Sequence, residues 1–208
     1  MSVEFTVYKG SASEGIVQAT TNHPLPKGNQ VLPRGRRHRE QIGESVTDLK
    51  VGDVVGWGYI HDVCGKCEEC LHGDDQYCRN KEQYGDSNHH QGSFGSRAIW
   101  NADWLYKVPA GLKPEHAAPL MCGGATVFGV IETYNIRPTD RVGVVGIGGL
   151  GHLAIQFLAK MGATVVVFSS TESKREEALK KLDVPELDHL IVTASFLPNW
   201  QLYVARPC

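Results

Sequence analysis

Four of the six cysteines fall within fifteen residues, in the run "CGKCEECLHGDDQYC". Cys64, Cys67, Cys70 and Cys78 have the spacing C-x2-C-x2-C-x7-C. Zinc takes four tetrahedral ligands with Zn–S of about 2.3 Å, and two-residue spacings let one tight loop supply adjacent corners. Four thiolates close the coordination sphere, so the predicted site is structural and leaves no position for substrate. Four independent reduced thiols are a poor account of so dense a cluster. An iron–sulfur cluster is the chemical rival, because four thiolates suit it equally. A nucleic-acid zinc module is a weaker rival. Its cysteines come as two separated pairs, and Glu68, Glu69, Asp74 and Asp75 here would repel phosphate. His72 lies near enough to compete, but a fifth donor is unnecessary and it reads as a solvated loop residue.

A second pattern, "GIGGLG", spans Gly146–Gly151 between the apolar run "RVGVV" and the helical run "LGHLAIQFLAKMG". Inside a strand–turn–helix–strand unit, Gly146, Gly148 and Gly151 fit the dinucleotide-binding fingerprint G-x-G-x-x-G, with Gly149 and Leu150 between them. The first glycine permits the tight turn and the second lets backbone approach a pyrophosphate. The third allows close helix–strand packing, and the helix N-terminus offers free N–H groups. The next strand, "ATVVVF", should end in a carboxylate if the ligand is NAD. It ends in "SSTESKR", with Ser169 at that place, Ser170 and Thr171 adding hydroxyls, and Lys174 and Arg175 adding charge. Hydroxyls and cations suit a 2′-phosphate, so NADP is the expected cofactor. Glu172 dissents, and a solvent-facing helix start is its plain reading; the same reading competes for Lys174 and Arg175.

These residues need elements to hold them, and the pattern changes character near residue 115. Before it, short apolar runs such as "EFTVYKG", "DVVGWGYI" and "SRAIWNADWLYKVP" alternate with glycine and proline, as strands of a small β domain do. A turn at Gly52–Asp53 opens one of them. After it, "KPEHAAPLMCGGATVFGVIETYNI" has helical spacing broken at Gly123–Gly124, the glycine unit follows, and "LDHLIVTAS" reads as a further buried strand. "TESKREEALKKL" reads as a polar-faced helix. The expected division is 1–115 for the β domain and 116–208 for the dinucleotide domain. With 208 residues, 41% hydrophobic and 21% charged, the composition is that of a globular chain rather than a disordered one. Net charge is −2, so nucleic acid is not an expected partner. The N-terminus lacks a secretory pattern and no apolar run is long enough for a membrane span, which makes the expected location cytoplasmic.

Together these segments resemble the zinc-dependent medium-chain alcohol dehydrogenases, and within them the NADP-using cinnamyl alcohol dehydrogenase-like branch. The likeness is carried by "VGDVVGWGYIHDVCGKCEEC", "QGSFGSRAIW", "AAPLMCGGATVF", the glycine unit and "DHLIVTASFLPNW". It implies a GroES-like β domain followed by a Rossmann doubly wound parallel sheet, both shortened relative to the family. It implies hydride transfer between NADPH and an aldehyde or primary alcohol. It also implies zinc as a Lewis acid in addition to the structural zinc. By the same resemblance Cys64, Cys67, Cys70 and Cys78 are structural-zinc ligands, and Cys122 is a catalytic-zinc ligand. Thr126 approaches the cofactor, and Thr193 faces its ribose side. By itself Cys122, in an apolar stretch, reads as a buried core cysteine.

The chain departs from that pattern in one place above all. Where the family places two further catalytic ligands and its proton-relay hydroxyl, residues 32–41 read "LPRGRRHREQ". No cysteine precedes Cys64, and His38, followed by Arg39, lacks the family's context. The stretch reads as a junction where sequence was lost, and no catalytic relay residue is assigned. The expected sheet keeps three parallel strands in the order 2-1-4, and loss of its far edge makes the family's dimer unexpected. Cys208 reads as an exposed terminal thiol. The alternative to an enzyme is an inactive member that keeps zinc and NADP.

Overall fold

The computed structural model describes residues 2–11, 15–28, 30–34, 38–168 and 186–195. Ser169, Ser170, Thr171 and Lys174, and the helix expected around them, lie outside the described residues, as does Cys208. Contacts divide the chain into two compact units, Met1–Met121 and Cys122–Cys208.

In the first unit, strands β1 (Ser2–Ser11) and β2 (Gly15–Pro24) form an antiparallel ribbon running from Ser2↔Pro24 to Ser11↔Gly15. Phe5 and Val7 are buried while Glu4 and Tyr8 face out, as a two-residue period requires. The backbone N–H of Tyr8 donates to the Phe94 carbonyl, and that of Ser96 to the Thr6 carbonyl, fastening the 94–96 loop along β1. Within the arginine-rich stretch, β3 (Gln30–Arg34) and β4 (His38–Ile42) pair antiparallel, with a register shift between Leu32 and Pro33. Pro33 brings no N–H to the ladder, and such a residue is accommodated at an irregularity. Four short pieces complete the strands: β5 (Val55–Gly56), β6 (Ile60–Asp62), β7 (Glu82–Gln83) and β8 (Trp100–Asn101). β9 (Tyr106–Lys107) pairs with β5, β7 with β6, and β8 with β3. The expected strand "SRAIWNADWLYKVP" is therefore two fragments, interrupted by a 3-10 turn at Ala102–Trp104 that the Asn101 side chain caps. Val31, Leu49, Ala98, Trp100 and Leu105 form the core beneath. Helix α1 (Glu68–His72) belongs to the cysteine lobe, and α2 (Pro114–Ala117) starts on a proline that needs no intrahelical donor.

The second unit opens with helix α3 (Gly123–Thr133). The expected break at Gly123–Gly124 falls instead at Cys122, and both glycines are helical. Strand β10 (Arg141–Val145) is central and buried, flanked in parallel by β11 (Thr164–Phe168) and β12 (His189–Val192). The order β11-β10-β12 is the expected 2-1-4. Helix α4 (Gly149–Met161) connects β10 to β11 and lays Gly151, Ala154 and Leu158 on the sheet, the three-to-four spacing of one helical face. Gly162, at φ 105°, ends it by donating to the carbonyls of Leu158 and Ala159. Val127 and Ile131 of α3, Val142 and Val144 of β10, and Ala154 and Leu158 of α4 share one core. Burial of β10 on both faces needs the apolar run "RVGVV", whereas β11 is only half-buried and exposes Val167.

Candidate functional site

The four clustered cysteines converge. Their sulfurs all lie within 4.8 Å of one another, with Cys67–Cys70 at 3.3 Å, Cys64–Cys78 at 3.7 Å and Cys64–Cys70 at 4.0 Å. A tetrahedron with Zn–S of about 2.3 Å has edges of about 3.8 Å, so the set fits one tetrahedral ion. A polynuclear iron–sulfur cluster would stand between the sulfurs and hold them farther apart, which this packing does not allow. The local sequence explains the convergence. Gly65 takes a left-handed φ of 66° to fold the first loop. Helix α1 carries Cys70 one turn beyond Cys67, and Gly73, at φ 83°, reverses the chain toward Cys78.

Polarisation within the cluster is uneven. Backbone N–H groups of Lys66 and Cys67 hold the Cys64 thiol down to about 6. The Cys70 N–H lowers Cys67 as well, yet the Cys70 sulfur, burial, the Cys64 sulfur and Glu69 outweigh it and push Cys67 up to about 12. Burial raises Cys70. Four sulfurs so close cannot ionise together by themselves, and a central dication removes that conflict. His72 ends α1 and is exposed, so the helix rather than a loop carries it. Apart from the cysteines, the segment has no core of its own: α1 and the 3-10 turn Asp75–Tyr77 bury nothing, while Cys78 is buried.

The glycine turn has the geometry that its spacing predicts. Gly146 has φ 92°, a left-handed conformation costly for a residue with a Cβ. A Cβ on Gly151 would run into the Gly146 carbonyl and come to 2.7 Å from the Thr193 hydroxyl. Above Gly148 and Gly149 nothing lies within 4 Å of where a Cβ would be, so the turn presents bare backbone there. Gly148 caps α4 without a side-chain hydrogen bond, which leaves the first-turn N–H groups uncapped by side chains. Leu150 is 39% exposed beside them. Thr193 closes the far side: its hydroxyl donates to the carbonyls of Val145 and Gly146, each at 3.0 Å, and its N–H donates to Val145 at 2.9 Å. The cradle stands at the carboxyl ends of β10 and β12, where the connections diverge to opposite sides of β10. These residues fit a pyrophosphate.

Cys122 is exposed at the N-cap of α3, not buried in the core. Thr126, also exposed, donates its hydroxyl and its N–H to the Cys122 carbonyl, both at 2.9 Å. Leu150 and Leu153 lie against the adjoining Gly123. Among the described residues the four-cysteine set is the single group of three or more metal-binding side chains, and Cys122 is outside it. The described residues therefore do not fit a catalytic zinc, and no chemical step is derived through one.

Two supports escaped the sequence reading. Asp140 accepts from the Arg137 N–H at 2.7 Å and meets His189 at 3.2 Å, while Asp188 accepts from the Arg141 N–H at 2.7 Å. These clamps hold β12 in register with β10 from the end opposite the cradle; the charged residues flanking the two apolar runs, "TDR" and "LDH", are their signal. In the first unit, His61 is buried with its ring 4.8 Å from Trp100, which also packs on Trp57 and Tyr84. A cavity of ≈ 810 Å³ in that unit is lined by Val55, Trp57, Val108, Ala117 and Met121 among others, with Glu115 the one metal-binding side chain.

Comparison with known proteins gives these sites a lineage. Residues 40–110 match the model of the alcohol dehydrogenase GroES-like domain. A probable cinnamyl alcohol dehydrogenase 8A of Oryza sativa subsp. japonica is 43% identical over 148 residues, 68% of this chain and 41% of the relative. An aldehyde reductase AdhA of Synechocystis is 36% identical over 200 residues, 89% of this chain and 58% of the relative. The chain thus spans about half the length of these curated relatives. Among solved structures, the cinnamyl alcohol dehydrogenase SbCAD4 of Sorghum bicolor superposes with TM-score 0.71 at 27% identity, over 94% of this chain and 65% of that one. The CAD of Helicobacter pylori complexed with NADP(H) reaches TM-score 0.77 at 23% identity, over 93% and 70%. A GroES-like β domain followed by a Rossmann sheet is the architecture they share with this chain.

Proposed function

The chain belongs to the zinc-dependent medium-chain alcohol dehydrogenase family, in its cinnamyl alcohol dehydrogenase-like branch, and from that premise we propose that it supplies the cofactor-binding and zinc-stabilised parts of an NADP-linked oxidoreductase. The reaction class is hydride transfer between NADPH and a small aldehyde or primary alcohol. Residues 1–115 carry the zinc lobe and residues 116–208 the cofactor sheet.

Cys64, Cys67, Cys70 and Cys78 hold one zinc, which supplies folding energy to the lobe and takes no part in chemistry. Gly146, Gly148, Gly149, Leu150 and Gly151 receive the pyrophosphate on uncapped N–H groups at the start of α4. Thr193 fixes the turn from below, and Thr126, on the family resemblance, approaches the cofactor from α3. Ser169, Ser170, Thr171 and Lys174, on sequence grounds, take the 2′-phosphate and so set the preference for NADP over NAD. The observation that carries this reading is the Gly146–Gly151–Thr193 cradle, in which a side chain at Gly151 has no room while the surface over Gly148 stands open.

Titration of the protein with NADPH, followed by the change in dinucleotide fluorescence, tests it. Saturable binding that is at least tenfold tighter than for NADH is the expected result. No binding of either dinucleotide would remove the proposal.

A further inference from the structure

We infer that His152 is a further cofactor-binding residue, its imidazole donating to the pyrophosphate of NADP(H) beside the backbone N–H groups of the glycine turn. The inference rests on the cofactor reading above and adds a side chain that the glycine fingerprint does not single out. The pyrophosphate of a dinucleotide is a dianion. From Val142 to Ala159, the stretch that forms the strand, the turn and most of the helix of the cradle, the sequence holds one ionisable side chain, and it is His152. The first turn of α4 carries no acidic residue. The helix therefore supplies no anion of its own where its N–H groups favour one.

The position of His152 on the helix aims it at the same place. Its N–H donates to the Gly148 carbonyl at 2.9 Å, which sets the residue one turn beyond the open backbone. Helical side chains lean toward the N-terminus, over the residues three and four positions earlier. For His152 those are Gly149 and Gly148, and neither has anything within 4 Å of where a Cβ would be. Without side chains at these two positions the lean is unobstructed, and a phosphate resting on the turn meets the imidazole from the side. Packing does not account for the residue: His152 is exposed, whereas Gly151, Ala154 and Leu158 carry the buried face of α4. An imidazole donates an N–H in either protonation state. A positive charge near a helix N-terminus is unfavourable by itself, and a bound dianion reverses that sign. His152 is thus suited to the occupied site rather than to the empty one.

The test uses the full chain and follows NADPH fluorescence on titration, with ADP and adenosine 2′-monophosphate as displacing ligands. ADP carries the diphosphate, whereas adenosine 2′-monophosphate carries the adenosine and the 2′-phosphate without it. His152→Ala is expected to weaken NADPH and ADP about five- to tenfold, to leave adenosine 2′-monophosphate within about twofold, and to melt as wild type does. His152→Gln, which keeps a donor without the charge, recovers part of the loss, and His152→Lys recovers most of it. Equal NADPH affinity in wild type and His152→Ala would overturn the inference and leave the glycine cradle standing. An equal loss for all three ligands would overturn it as well, because that marks a general disturbance of the turn. A wild-type chain that binds neither NADPH nor ADP removes the cofactor proposal and this inference with it.

Discussion

Gly151 and Gly148 occupy the same turn but answer to different constraints, and substitution separates them. A methyl group on Gly151 collides with the Gly146 carbonyl and the Thr193 hydroxyl, so Gly151→Ala should destabilise the second unit by about 1–3 kcal/mol and weaken NADPH binding together. Gly148→Ala meets nothing inside the protein and sits at an ordinary φ of −79°, so its melting should stay near wild type while NADPH affinity falls about tenfold or more. Thermal melts beside fluorescence titrations distinguish the two. His61 offers a pH signature. Burial pushes its imidazole below the usual value, against the pull of Glu82 and Asp62. The folded chain then binds fewer protons than the unfolded one between that lowered value and about 6.5. Stability is full above that window and is lost as pH falls through it. His61→Phe, keeping a ring against Trp100, should flatten the change in denaturation midpoint between about pH 5 and about pH 7.5; an unchanged slope would remove His61 as its source. The glycines were legible in sequence because their constraint is local. His61 was not, since its burial depends on Trp100, whose place across the unit no nearby spacing reports.

Elements that were legible are those whose residues satisfy themselves locally. "RVGVV", "ATVVVF" and the helix between them were readable because strand burial, glycine turn and helical face lie in one continuous stretch. The first unit was harder. Its strands β5 to β9 are two or three residues long, too short for alternation to mark, and are held by partners far along the chain. The strand pair β3–β4 could not be read from the arginine-rich stretch, because the pairing of β3 with β8 depends on Trp100 and Asn101 rather than on its own polar composition. Trp100 is the keystone of that arrangement, fully buried against Trp57, His61 and Tyr84. Trp100→Ala should cost about 3–5 kcal/mol in chemical denaturation of the first unit. A loss below about 1 kcal/mol would mean that the aromatic cluster is not what holds these short strands.

At the scale of the molecule, each of the two units carries its own core, and the metal acts in only one of them. The cysteine lobe buries almost nothing but Cys78, so its order depends on the ion. Chelation should open residues 64–78 to proteolysis and hydrogen exchange while the core of α3, β10 and α4 stays protected. Uniform loss of protection in both units would contradict a local role for zinc. No helix among the described residues is long and apolar enough to cross a membrane. The two binding features also differ in reach. The cysteines that close the metal centre are at most 14 positions apart, whereas Thr193 bonds carbonyls 47 and 48 positions earlier in the chain. During synthesis the lobe can capture its ion soon after Cys78 has emerged. The glycine turn stays without its supporting hydroxyl until translation has passed Thr193, so a growing chain gains its metal well before it can hold a nucleotide.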